Sequence, residues 1–166
     1  FSFHMIGFNC STAPGSKGNR LLLDQNIREA LSCAVSRRQL VELALAGYGE
    51  PGTDLLPPAF GEFHYVPAPD AVLDDDPEKA KRLLDAAGWA MGSDGVRAKN
   101  GTRLSFTTLQ MAESTEEKVM QAVVEMLKKV GIEMKVEDAR QMSEDEVEAK
   151  IAKLMARAAA RKDGGK

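Results

Sequence analysis

Residues 104–138 place the tightest limit on how this chain can fold. Leu104, Phe106 and Leu109 read as one strand. Ser114 with Glu117 forms a capping box. Val119, Met120, Val123, Val124, Leu127 and Val130 then recur at helical spacing until Gly131 stops the helix. Ile132, Met134 and Val136 alternate as a second strand. Two strands joined through a helix cannot form a hairpin. They are expected side by side and parallel, with a right-handed crossover. This predicts an α/β chain with a small mixed β-sheet flanked by helices.

The rest of the chain is punctuated by local signals. Asp24 caps a helix whose inner face is Ile27, Ala30, Leu31, Ala34 and Val35. Ser36, with Gln39 three residues on, restarts a helix that Gly47 ends. Asp76-Pro77-Glu78 combines a capping side chain, proline at the first helical position and an acid at the positive dipole end. Ala80, Leu83, Leu84 and Ala87 give that helix its buried stripe. Gly88 ends it, and Trp89 folds back on Leu84 as a structural plug. Asn100-Gly101 is a two-residue hairpin signal between Val96–Lys99 and Thr102–Leu104, the second strand running on through Phe106 and Leu109. Residues 3–9 read as a further strand entering a Ser/Gly/Pro-rich loop, 9–19. The long stretch 48–76 carries Tyr48, Phe60, Phe63 and Tyr65 between prolines, and these aromatics are expected to pack against the body. A last helix is predicted from Ser143, followed by a disordered tail. Residues 1–160 are thus one unit and 161–166 a solvated end.

Composition narrows the function. Net charge is -3, which offers no broad basic surface for a phosphate backbone, so no nucleic-acid partner is expected. No apolar run is long enough to cross a bilayer. Cys10 and Cys33 read as two free, partly buried thiols rather than a bridge. His4 and His64 are the only histidines and neither belongs to a zinc motif, so no metal is expected. Gly15-Ser16-Lys17-Gly18 lacks the order of a phosphate loop, and no nucleophile–base pair can be named. The chain reads as no enzyme and as needing no cofactor. Asp74-Asp75-Asp76 lacks the spacing of a calcium loop and reads as capping.

Four stretches, in order, carry a resemblance. Phe8-Asn9-Cys10 is similar to a strand end Phe-Asn-Thr. Asp24 to Arg37 is similar to the helix-pair pattern D-x-x-V-R-x-A-(I/L)-x-x-A-(I/V)-D-R, with Ser36 in place of its last Asp. Asp76-Pro77-Glu78-Lys79-Ala80 through Ala87-Gly88-Trp89 is close to a consensus. Asp94-Gly95-Val96-Arg97 leads through Asn100-Gly101 and Leu104-Ser105-Phe106 to Val130-Gly131-Ile132-Glu133-Met134. Together they resemble the family 5 solute-binding proteins of ABC importers, the oligopeptide, dipeptide and nickel binders, over residues 3–138. Leu21-Leu22-Leu23-Asp24 departs from the Pro-Phe-Asp-Asp usual there.

The resemblance implies one lobe of a type II periplasmic-binding-protein-like fold, whose two lobes close on solute by hinge motion. It implies a fragment of a transport lipoprotein, periplasmic or cell-surface in its parent, that captures peptides or similar small solutes for the membrane subunits of an ABC importer. The signal segment is absent from this stretch. Ligands of open α/β sheets meet the carboxyl ends of strands. The expected ligand-binding rim is therefore Asn9 and Cys10 after the first strand, with Met111, Ala112 and Glu113 after the central one. Asn9 reads equally as a turn-stabilising side chain. One lobe alone is expected not to hold solute. A ligand-sensing module of a cytoplasmic transcription regulator and a stand-alone interaction domain are the other readings.

Overall fold

Local capping chemistry builds the helices of the computed structural model, which describes residues 4–16, 18–54, 56–110 and 114–138. Helix α1 (Gln25–Ala34) starts where the Asp24 carboxylate accepts from the Asn26 amide at 2.9 Å. Helix α2 (Arg37–Leu45) is capped by Ser36, whose hydroxyl accepts from Gln39 N. Helix α3 (Pro77–Ala86) has proline at its first position, and Asp76 accepts from Lys79 N at 2.7 Å. It ends in a Schellman turn. Gly88 takes φ +81, its amide donates to Asp85 O, and Trp89 N donates to Leu84 O at 2.9 Å.

The acidic run beside α3 has structural work. Asp74 accepts from the Arg37 amide at the start of α2, while the Asp75 and Asp76 amides donate to Val35 and Cys33 carbonyls. These bonds lay the entry to α3 against the α1–α2 junction.

Strands β1 (Ala90–Met91), β2 (Arg97–Lys99) and β3 (Thr102–Arg103) form an antiparallel sheet in the order β1-β2-β3. Asn100 and Gly101 both have positive φ, as the predicted two-residue turn requires. Strands β4 (Ser105–Gln110) and β5 (Glu133–Asp138) pair parallel from Ser105↔Glu133 to Gln110↔Asp138. Helix α4 (Ser114–Lys128) joins them, the predicted strand–helix–strand.

The hairpin strand does not run on as one element. It changes sheets at Leu104, whose amide donates back to Arg97 O while its carbonyl accepts from Glu133 N at 3.0 Å. The mixed α/β class holds, but as two small sheets sharing one extended chain.

Two expectations fail. The strand expected at 3–9 is not formed over its described residues 4–9, because a strand needs a ladder partner and none of the described strands pairs with them. The aromatics of the long stretch do not pack inward: Tyr48 is 88%, Phe63 68%, Tyr65 64% and Phe60 45% exposed. That stretch folds on itself instead. Pro57-Pro58 opens a 3-10 turn, Gly61 kinks it, His64 Nδ1 lies 2.5 Å from Leu56 O, and Tyr65 N donates to Asp54. The predicted last helix and tail lie outside the described residues.

The core is one cluster. Ile27, Ala30 and Leu31 of α1 meet Ala80 and Leu84 of α3, with Leu104, Phe106, Val123, Leu127 and Ile132 completing it. Trp89 is 4% exposed within it, the plug expected from its position. One buried charge joins this core. Arg97 is 3% exposed and donates through Nε to Val130 O at 2.8 Å, and through Nη1 to both Trp89 O and Asp85 Oδ1.

Both cysteines are free. The half-buried Cys10 thiol donates to Leu22 O at 3.4 Å. Cys33 is 1% exposed, and burial raises its pKa, which keeps the sulfur protonated. A disulfide-exchange reagent is therefore expected to label Cys10 in the native protein and Cys33 only on unfolding. Native-state labelling of Cys33 as fast as Cys10 would refute this.

Candidate functional site

A parallel pair sends both its carboxyl ends to one edge, and here those ends are Gln110 and Asp138. The cause of this placement lies at Gly131. Its φ of +84 closes α4 in a second Schellman turn, with Ile132 N donating to Leu127 O at 3.0 Å. The chain then enters β5 at once, through the bond from Glu133 N to Leu104 O. A Cβ at Gly131 would lie 2.7 Å from Arg97 Cγ and 2.8 Å from Met91 Cε, so glycine is needed for space as well as for φ.

Between the strand ends and α4 lies an open groove of about 670 Å³. Met120, Val124 and Val136 give it an apolar floor. Gln110, Glu117, Gln121, Glu125 and Asp138 give it a polar rim, with no lysine or arginine among the described lining residues. Successive helical turns supply the row Glu117, Gln121 and Glu125. Alternation along the strands puts Gln110 and Asp138 on the same face as Val136. One acceptor in the groove, Gln110 Oε1, is enclosed without a partner among the described residues, as is Glu116 Oε2 in the first turn of α4. The other Glu116 oxygen is 3.7 Å from His4 Nδ1. An enclosed acceptor without a donor is unfavourable, so this edge suits a ligand that brings N–H or O–H groups.

The opposite end of the pair is closed by structure. Asn19 Nδ2 donates to Ser105 O at 3.2 Å, at the start of β4. Around Glu133, a hydrogen bond from the Ser105 side chain, aided by Lys135 and Arg103, holds the carboxyl below its ordinary range. Asp94 is held low in the same way, first by its hydrogen bond from Arg103.

The expected rim residues divide. Asn9 Oδ1 accepts from Ser11 N at 3.1 Å, and its backbone lies against Gly18, beside Asn19. With Cys10 held to Leu22, Asn9 and Cys10 thus belong to the segment fastened at the amino end of β4. Met111, Ala112 and Glu113 directly follow Gln110 at the carboxyl end and lie outside the described residues. The groove itself was not anticipated. From sequence, Glu117 reads as half of the Ser114 capping box. The signal that would have found the groove is this polar row at four-residue spacing beside Met120 and Val124. Among the described residues, no cluster of three or more His, Cys, Asp or Glu could hold a metal ion. No helix among them is long and apolar enough to cross a membrane.

Comparison with known proteins agrees with this architecture. Protein XP55 of Streptomyces lividans is 38% identical over 126 residues, which is 70% of this chain and 21% of that protein. Oligopeptide-binding protein OppA of Lactococcus lactis subsp. lactis (strain IL1403) is 33% identical over 115 residues, covering 68% of this chain and 19% of the relative. The solved structure of the oligopeptide-binding protein AppA from Bacillus subtilis, in complex with a nonapeptide, superposes with a TM-score of 0.62 at 31% identity. It covers 73% of this chain and 24% of that one. The chain therefore spans about a fifth to a quarter of the length of these relatives. The profile of the family "Bacterial extracellular solute-binding proteins, family 5 Middle" matches residues 1–159. With that match over nearly its whole length, and with sheets and helices that follow a type II binding-protein lobe, the chain belongs to the family 5 bacterial extracellular solute-binding proteins.

Proposed function

We propose that this chain is one lobe of a two-lobe protein that captures peptides or similar small solutes outside the cytoplasm. The parent would hand its cargo to the membrane subunits of an ABC importer, with no chemistry performed on it. The carrying observation is the open groove at the shared carboxyl edge of β4 and β5, where ligands of open α/β sheets bind. The relative solved with a nonapeptide supports a peptide as cargo. An apolar floor takes side chains, and the unpartnered Gln110 oxygen takes a backbone N–H. On this reading Met111, Ala112 and Glu113 extend the contact surface beyond Gln110. Asn9 and Cys10 stand apart from the groove, toward the amino end of β4, and the Asn9 bond to Ser11 supports its role as a turn former.

A cleft made by two lobes loses half its enclosing contacts when one is removed. Calorimetry of this chain with mixed peptides is therefore expected to show no heat of binding. The full-length parent is expected to bind. In that parent, Gln110→Leu should weaken peptide affinity about tenfold, the effect of one lost hydrogen bond in an enclosed site. Tight binding by this chain alone, or unchanged affinity in the variant parent, would count against the proposal.

A further inference from the structure

The long proline-rich stretch presents a face that the groove does not explain. Leu56 is 38% exposed, Phe60 45%, Phe63 68%, Tyr65 64% and Val66 74%. The contacts of His64 with Leu56 and of Tyr65 with Asp54 bring the two arms of the loop together. These side chains therefore crowd one tip. The tip is stiffened by Pro57, Pro58, Pro67 and Pro69, and by bonds from Phe60 N to Pro57 O and from His64 N to Gly61 O. A loop already ordered gives up little entropy on docking, which suits a contact face. Large apolar side chains left exposed together on one ordered loop point to an interaction face.

Charge narrows the occupant. Between Arg38 and Lys79 the chain has no lysine or arginine, while Glu50, Asp54, Glu62 and Asp70 flank the aromatics. An anionic lipid surface would be repelled. A partner should be apolar at its centre and basic at its rim. Size narrows it further. Five side chains fall short of the roughly 800 Å² per partner that a free-standing specific interface buries. A contact within one polypeptide needs far less, because tethering supplies an effective concentration on the order of millimolar. The relatives are four to five times longer than the matched region, so most of such a polypeptide lies beyond it.

We propose that the loop tip at 56–66 is an interlobe docking face. It seats on an apolar patch, rimmed by lysine or arginine, on the part of the same polypeptide outside this chain. This rests on the two-lobe reading above, though not on which solute is bound.

Hydroxyl-radical footprinting of the solute-free, full-length parent tests it. The native protein would be compared with the urea-unfolded one, at two concentrations a hundredfold apart. Phe63 and Tyr65 are expected to oxidise about fivefold more slowly in the native state, as core side chains do, equally at both concentrations. The pair Phe63→Ser and Tyr65→Ser should lower the parent's thermal midpoint and leave that of the isolated chain unchanged. Oxidation as fast in the native as in the unfolded parent would overturn the proposal. So would protection that vanishes on dilution, which assigns the face to a second copy, or protection that arises only with importer subunits added. Peptide titration of the same sample separates the two ideas: a parent that protects Phe63 but binds no peptide keeps the docking face and sinks the transport reading.

Discussion

Replacing Arg97 by alanine is expected to destabilise the chain by about 3–5 kcal/mol, the usual cost of leaving the partners of a buried charge behind. The guanidinium sits between two helix ends. Val130 O belongs to the closing turn of α4 and Trp89 O to that of α3, and both accept from Arg97. Helix ends leave carbonyls unpaired and carry the negative end of the dipole, so one cation satisfies both. Its side chain is 4% exposed, whereas that of its ionic partner Asp85 is 64% exposed. The weight of the interaction thus lies on the carbonyls and not on the ion pair. Asp85→Asn should cost under about 1 kcal/mol, as exposed pairs do. Arg97→Lys should recover only part of the loss, since a single ammonium head lacks the fork that reaches both sides. Urea unfolding followed by circular dichroism would measure all three. An Arg97→Ala midpoint equal to that of the wild type would remove the clamp from this account.

Leu84→Ala is the second large effect, expected at about 2–5 kcal/mol. Leu84 is fully buried on α3 against α1, and its own carbonyl takes the closing bond of the helix from Trp89 N. Alanine preserves that backbone bond, so the loss reports a cavity and not a broken cap. The slope of unfolding with denaturant should stay constant while the midpoint falls. A changed slope would mean that α1 and α3 separate before the rest unfolds. Either substitution removes a large part of the 5–15 kcal/mol that holds an ordinary domain together.

These two residues also mark what can and cannot be read from the chain. Leu84 is legible because its stripe, its cap at Asp76 and its stop at Gly88 all lie within a few residues of it. The same locality made Asp24, Ser36, Asn100-Gly101 and the β4–α4–β5 unit legible. Arg97 is not, because its partners at 85, 89 and 130 meet only after three elements have packed. The segment at 4–9 misleads for a related reason: alternation suits a strand, but pairing is set by what lies alongside. The aromatics at 48–65 mislead too, since an apolar side chain in a proline-rich stretch can be held by its own loop. Of the candidate site, the strand order that makes a shared carboxyl edge is legible in the sequence, while Met111, Ala112 and Glu113 lie outside the described residues. The capping box accounts for Glu117 in the sequence but not for Gln121 and Glu125, one and two turns further on, which meet the strand ends only in the folded chain.

Helix α2 packs on α4 but has no fully buried residue, and Leu43 is 65% exposed beside an open gap of about 390 Å³ between the two. An element that adds so little to the core has little to lose by detaching. Its amides from Leu40 to Leu45 should exchange with solvent through a private opening, long before those of α1 and α3, which wait for global unfolding. Equal protection across the three helices would show that α2 is gripped by something beyond its own packing. The shallowly packed α2 is thus the element that lifts first, while α1 and α3 stay closed on each other.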